Sequence, residues 1–372
     1  MRLSRAGAIA LKEIMHILRD PQVLIFALGM PVVLILLFGY AVSFDVEKVP
    51  LLIVDQDQTA ASRELTTAFT ASKLFVTVAE SDDPAAADPA FRRGVATLAL
   101  VIPPGFERAL ARGDEAVAQL LLDGTDNMTA AIALGYANAI SLSVTQRRLA
   151  ASFGEASLPV TARVRTLFNP RLLSSVMLVP GLMVLILVMV AVMLTALTVA
   201  REYERGSMEQ LFATPVTRLE IILGKLAPYF VLGQLQVLLV LTLGVVLFGV
   251  PIAGSLLLLF GVASVFLLAM LMQGLVISIL VPNQMVASQL AVITTMLPAL
   301  LLSGFVFPIS NMPPVLQAVS SALPATYLVH ALRAILLRGN GLDAVAGDVG
   351  AMAIFFAVML LISLKRFKRW IA

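Results

Sequence analysis

The chain has 372 residues, of which 59% are hydrophobic and only 13% charged. So few charges cannot cover an ordinary soluble domain, and so apolar a chain is not a disordered one; with no cysteine there is no disulfide framework, thiolate metal site or thiol nucleophile. The 26 basic and 23 acidic side chains leave a formal net charge of +3, and where those charges lie says more than their sum.

Residues 1–20 form a charged amphipathic stretch. No Asp, Glu, Lys or Arg then occurs between Pro21 and Phe44, between Leu172 and Ala200, or between Leu226 and Leu332. A membrane-crossing helix needs about 20 apolar residues. The first gap predicts one span over residues 21–44, and the second one over 172–200, bent or broken at Pro180-Gly181. The third gap predicts spans over 226–248, 252–280 and 284–307, with Pro251 and Pro282-Asn283 at the turns. A sixth span is expected over 349–364, where Lys365 and Arg366 can snorkel. The first apolar run is read as a retained span and not as a cleaved leader, because it is long and lacks a small-residue cleavage site. The expected fold class is a polytopic all-α membrane protein with six transmembrane helices plus a small α/β domain.

That small domain is residues 45–171, between the first two spans, with twelve basic and fifteen acidic residues. Strand-like runs over 50–54, 73–78, 97–103 and 117–123 alternate with helical ones over 62–70, 89–93, 105–112 and 128–150. Asp88 before Pro89 reads as a helix N-cap. Basic residues cluster at Arg2, Arg5, Lys12 and Arg19, at Arg201, Arg205, Arg218 and Lys225, and in the tail 365–372. With six spans all three clusters fall on one side, which the charge rule makes the cytoplasm. Both termini are then inside and residues 45–171 outside. The tail with Trp370 reads as an interfacial anchor and not as a nucleic-acid patch.

Little in the chain carries chemistry. There is no phosphate-cradling G-x-x-x-x-G-K-[ST], no G-x-S-x-G and no H-E-x-x-H. Asp55, Asp57, Asp123 and Asp126 admit a cation site, but Asp at such spacing more often caps turns. His16 and His330 read as structural or solvent-facing. The spans lack the ionisable groups that ion-coupled transporters keep at membrane depth. Gln234, Gln273 and Gln289 are candidates for a polar substrate path; inter-helix hydrogen bonding is the competing reading.

The most specific segment is 201–225. Glu202, Glu204 and Glu209 alternate with Arg201 and Arg205, Leu211 and Phe212 give an apolar edge, and Pro215 stops the short helix. Thr217-x-x-Glu220 is a capping box that starts the next span. A charged helix held between two spans suits docking to a soluble partner.

The pattern E-x-E-R-G-[ST]-x-E-x-L-x-x-T-P-V, then E-x-x-x-G-K, resembles the cytoplasmic signature of the ABC-2 type transporter permeases. Here it is carried by Glu202, Glu204, Arg205, Gly206, Ser207, Glu209, Leu211, Thr214, Pro215, Val216, Glu220, Gly224 and Lys225. VDQDQTAASREL from Val54, VIPPGFERAL from Val101 and LLDGTDN from Leu121 are similar to the outer domain of the subgroup with a large insert after the first span. LLSGFVFPISNMP from Leu301 and ALPATYLVHALRAILLRG from Ala322 resemble its outer re-entrant segment, here 308–348. The resemblance implies an exporter permease in a bacterial inner membrane, with Arg201, Glu202, Glu204, Arg205, Gly206, Glu209, Leu211, Thr214, Pro215 and Lys225 as the coupling segment. It implies cytoplasmic ATPase subunits that hold the ATP and Mg, no cofactor on this chain, and a second permease, either a copy or a paralogue. A periplasmic adaptor and membrane lipids are further expected partners. The N-terminal stretch becomes a connecting helix, with Leu3, Ala10, Ile14 and Ile17 on one side and Lys12, His16 and Arg19 on another. The competing class is a membrane-anchored sensor or assembly factor; a secondary transporter fits less well.

Overall fold

The computed structural model describes residues 3–41, 48–153, 174–204, 206 and 216–366. The chain divides into two units, one drawn from Met1–Ser43 and Thr166–Ala372 and the other from Phe44–Arg165.

The first unit is helical. It opens with α1 (Leu3–Arg19), after which Asp20 caps α2 (Pro21–Leu24) by accepting the Gln22 and Val23 N–H groups. A π-helical turn at Ile25–Gly29 leads into α3 (Met30–Ala41). Among the described residues six helices are long and apolar enough to cross a membrane: Pro21–Tyr40, Ser175–Glu204, Arg218–Phe248, Leu256–Leu280, Gln284–Leu302 and Leu342–Arg366. The second is the axis of the unit, with 89% of its apolar stretch buried against 50% or less for the others.

Several boundaries differ from those set by charge alone. The second span continues unbroken through Pro180 from Ser174 to Glu204. Proline removes one hydrogen bond near the start of this helix, and packing on all sides supplies the rest. The third begins at Arg218, where the capping box forms: Thr217 accepts the Glu220 N–H and Glu220 accepts the Thr217 N–H. The fifth ends at Leu302 after a π-helical turn at Val292–Met296. The sixth begins at Leu342, because Asp343 and Asp348 lie within the helix and do not end it. Between the fifth and sixth, the helices Pro314–Ser321 and Pro324–Leu336 meet at a bend of 80°.

Polar side chains in the spans hold helices to one another. Buried Gln236 donates to the Ala27 carbonyl, inside the first π-helical turn, and Gln234 donates to Ser264 at 2.9 Å. A π turn breaks the regular ladder and gives such a donor an acceptor. The Ser278 hydroxyl accepts the N–H groups of Val199 and Ala200 at 3.0 and 2.8 Å.

The second unit is α/β. Its strands are β1 (Val49–Asp55), β2 (Phe75–Ser81), β3 (Leu98–Ile102) and β4 (Gln119–Leu122), in the order β2-β1-β3-β4. β1 runs parallel to both neighbours and β4 antiparallel to β3. Alternation along the strands fills both faces. Leu51, Ile53, Leu98 and Leu100 pack with Leu65 and Phe69 of α4 (Ala60–Ala71), while Leu52, Val54, Ala99 and Val101 pack with Ala87 and Ala90 of α5 (Ala87–Arg92). α6 (Phe106–Arg112) and the long α7 (Asn127–Phe153) complete the first face. The Asp-Pro cap forms one turn earlier than expected. Asp83, before Pro84, accepts the Ala85 N–H, and Asp88 lies inside the helix. The same dipeptide occurs twice, and the first copy is the one in extended conformation.

The four aspartates that admit a cation site serve turns. Asp57 accepts the N–H groups of Gly105 and Glu107 at 2.7 and 2.9 Å and the Thr59 hydroxyl, tying the end of β1 to the start of α6. The Glu107 N–H, more than any other contact, holds the Asp57 carboxyl below the usual carboxylate range. Asp55 accepts from Asp57, Gln58 and Ser62, Asp123 from Thr125, and Asp126 from Thr129.

Candidate functional site

The helix at Ser174–Glu204 (α8), the helix at Arg218–Phe248 (α9) and α1 converge at one end of the helical unit. α1 buries Ala6, Ile9, Glu13 and Ile17, a stripe at three- and four-residue spacing. The expected apolar face is corrected in part: Ile17 is buried, but Ile14 is exposed along with Leu11, Met15 and Leu18. α1 therefore has two apolar edges, and the one turned inward carries a glutamate.

Gly224 allows this arrangement. A Cβ there would stand 2.7 Å from the Ile9 Cβ and 2.8 Å from the Ala6 carbonyl oxygen. Only a residue without a side chain lets α1 cross α9 so closely. The next residue, Lys225, lies about two turns inside α9, with its side chain 1% exposed. Its ammonium stands 3.0 Å from a Glu13 carboxylate oxygen and 2.7 Å from Glu202 on α8. The other oxygen of Glu202 lies 2.8 Å from Lys12, and the Tyr229 hydroxyl donates to Glu13 at 3.4 Å. Two cations and two anions thus neutralise one another where a lone buried charge could not stay ionised.

Flanking contacts extend the cluster. Arg201 reaches Asp20 at 3.5 Å and Gln284 at 3.4 Å, and Glu204 accepts both the backbone and side-chain N–H groups of Gln284. A cavity of roughly 290 Å³ opens beside it, lined by Lys12, Glu13, His16, Arg201, Glu202 and Tyr229 together with apolar side chains. The arrangement is one of paired charges drawn from three helices. It locks the first helix, the second span and the third span together by charge.

Of the expected coupling residues, Arg201, Glu202, Glu204 and Lys225 fall in this region. Glu202 and Lys225 are buried and bond residues of α1. Gly206 takes a positive φ of 67°, and its N–H meets the Tyr203 carbonyl just past the end of α8. Arg205, Glu209, Leu211, Thr214 and Pro215 lie outside the described residues. Gln234, Gln273 and Gln289 sit in three separate settings. Gln234 bonds Ser264, Gln273 lines a small cavity of about 50 Å³ with Thr294 and Thr295, and Gln289 is exposed. Sequence reasoning missed Glu13 and Tyr229. The signal for Glu13 was its register with Ala6, Ile9 and Ile17; Tyr229 follows Lys225 by one helical turn.

Known proteins are similar to this chain in sequence. The family model described as ABC-2 family transporter protein matches residues 21–365. The "Probable multidrug ABC transporter permease YbhS" of Escherichia coli K12 is 36% identical over 338 residues, covering 90% of this chain and 89% of its own. The "Probable multidrug ABC transporter permease YbhR" of the same organism is 31% identical, with 93% of each chain covered. The "Linearmycin resistance permease protein LnrN" of Bacillus subtilis is 25% identical over 95% of this chain and 96% of its own. A match over nearly the whole chain, on a unit of six apolar helices, makes this chain a member of the ABC-2 transporter family, a membrane permease.

Proposed function

We propose that the chain is the transmembrane subunit of an ATP-binding cassette exporter of the bacterial inner membrane, and that the Glu13–Lys225–Glu202–Lys12 cluster couples its helices. A separate cytoplasmic ATPase binds the ATP and Mg and supplies the energy. Residues 205–215 dock on that ATPase, and a push there reaches α8 and α9 directly at their ends. Through Glu202 and Lys225 the same push moves α1. The carrying observation is the burial of Lys225 between two carboxylates from two other helices. A second permease, a copy or a paralogue, completes the path. Both termini are cytoplasmic, and the α/β unit stands outside, where an adaptor protein can meet it. The relatives' names support drug-like substrates.

The test is co-expression with the candidate ATPase. The two should co-purify, the permease alone should hydrolyse no ATP, and Glu209→Lys should weaken the association while Glu80→Lys does not. A permease that carries out its work with no ATPase bound overturns the reading in favour of a sensor or assembly factor.

A further inference from the structure

A second polar cavity lies in the helical unit, apart from the charge cluster. It has a volume of roughly 380 Å³ and is walled by the loop after Leu302, by the helix Pro324–Leu336 (α14 in the order of the chain, after α10 at Leu256–Leu280, α11 at Gln284–Ala291, α12 at Leu297–Leu302 and α13 at Pro314–Ser321) and by the sixth span. Gly181, near the start of α8, packs against Phe305 beside it. The charge cluster sits at the other end of α8, so the two sites lie at opposite ends of that span.

The ionisable groups lining the cavity are Arg333, Arg338, His330 and Asp348. The one acid is already engaged: Asp348 lies 2.7 Å from the His330 ring. Arg333 spends two nitrogens on the Gly304 and Phe305 carbonyls at 3.0 and 3.2 Å, and its buried Nε has no partner. Among the described residues neither guanidinium forms an ion pair with a carboxylate. Their like charges also repel each other. Two guanidinium groups held together without a counter-ion, over a space of several water volumes, attract an anion with oxygens to offer both.

We propose that this cavity binds a phosphate group. The phosphate is carried either by a lipid headgroup, which the exposed Phe307, Val315 and Val319 nearby in sequence favour, or by a soluble phosphate ester. Arg338 is the exposed half of the clamp and Arg333 the half fixed to the loop. The Tyr327 and Thr326 hydroxyls in the same wall already donate to the Ser321 and Ser320 carbonyls, so the two guanidinium groups supply the donors.

The test uses the purified full-length permease in neutral detergent and three probes: short-chain phosphatidylglycerol, diacylglycerol of equal chain length, which lacks the phosphate, and sn-glycerol 3-phosphate. Equilibrium titration should show phosphatidylglycerol bound about tenfold more tightly than diacylglycerol, the scale of one charge-assisted bond. Arg338→Gln should remove most of that preference without moving the melting temperature, since Arg338 is exposed and forms no hydrogen bond or ion pair among the described residues. Arg92→Gln, an exposed cation of the α/β unit, should change nothing. Binding of glycerol 3-phosphate as tight as the lipid assigns the soluble source, and binding of the lipid alone assigns the headgroup. Equal affinity for both lipids with no binding of glycerol 3-phosphate overturns the proposal, as does an Arg338→Gln variant that binds like the parent.

Discussion

The Lys225 ammonium lies 3.0 Å from the Glu13 carboxylate, with both side chains at least 95% shielded from solvent. A charge so placed is costly without its partner, and the pair stabilises the fold only as a pair. Lys225→Met should therefore destabilise the permease by about 3–5 kcal/mol, because Glu13 stays buried with no cation. Adding Glu13→Gln to it should recover part of the loss. Thermal unfolding in detergent of the two single variants and the double closes the cycle, and strict additivity would mean that the two groups do not interact.

The crossing of α1 over α9 depends on a missing side chain. Gly224→Leu places atoms where Ile9 and Ala6 already stand, and overpacking of this kind costs about 1–3 kcal/mol. α1 is the lighter partner and should be the one to give way. Trypsin should then cut after the half-exposed Lys12 faster than in the parent, under conditions where the six spans survive. Equal cutting rates would show that the helices slide past the added bulk.

Membrane topology is open to a clean test, since the chain has no native cysteine. Cysteines introduced at Glu80, in the α/β unit, and at Ser207, between the second and third spans, should react with an impermeant maleimide from opposite faces. Reaction from one face would remove the six-span arrangement.

Asp57 gives the α/β unit an acid-sensitive clasp. Its folded pKa lies below its unfolded value, chiefly because of the Glu107 N–H. Its contribution is complete above the ordinary carboxylate range and is lost as pH falls through the lower folded value. Amide exchange in β1 and β3, taken relative to the intrinsic rate at each pH, should accelerate below about pH 4. In Asp57→Asn the exchange should be fast at neutral pH already and lack that acid step. A variant whose exchange profile overlays the parent's would show that the clasp carries no stability.

The spans were legible because charge gaps mark apolar helices directly. The four strands were legible because runs such as PLLIV and TLALVIP are short, β-branched and bounded by turn residues. Lys225 was less so. Its charge made it look like the last residue of a loop, although the Thr217–Glu220 cap already placed it inside the helix. Its partner Glu13 lay too far away in sequence for any local pattern to join them. His330 and Asp348 escaped for a similar reason: each is an ordinary polar residue until the turn after α14 lays that helix against the sixth span. Residues 205 and 207–215, the most motif-rich stretch, lie outside the described residues.

The buried pair also sets an order of events during synthesis. Glu13 and Lys225 are 212 residues apart in sequence. At about 5–20 residues per second, the glutamate leaves the ribosome on the order of ten to forty seconds before its lysine exists. Throughout that interval α1 has no reason to bury Glu13, and it can rest on the membrane surface with that side chain in water. The first helix to be made is thus seated only after the second and third spans, and its docking reports that the third span has arrived.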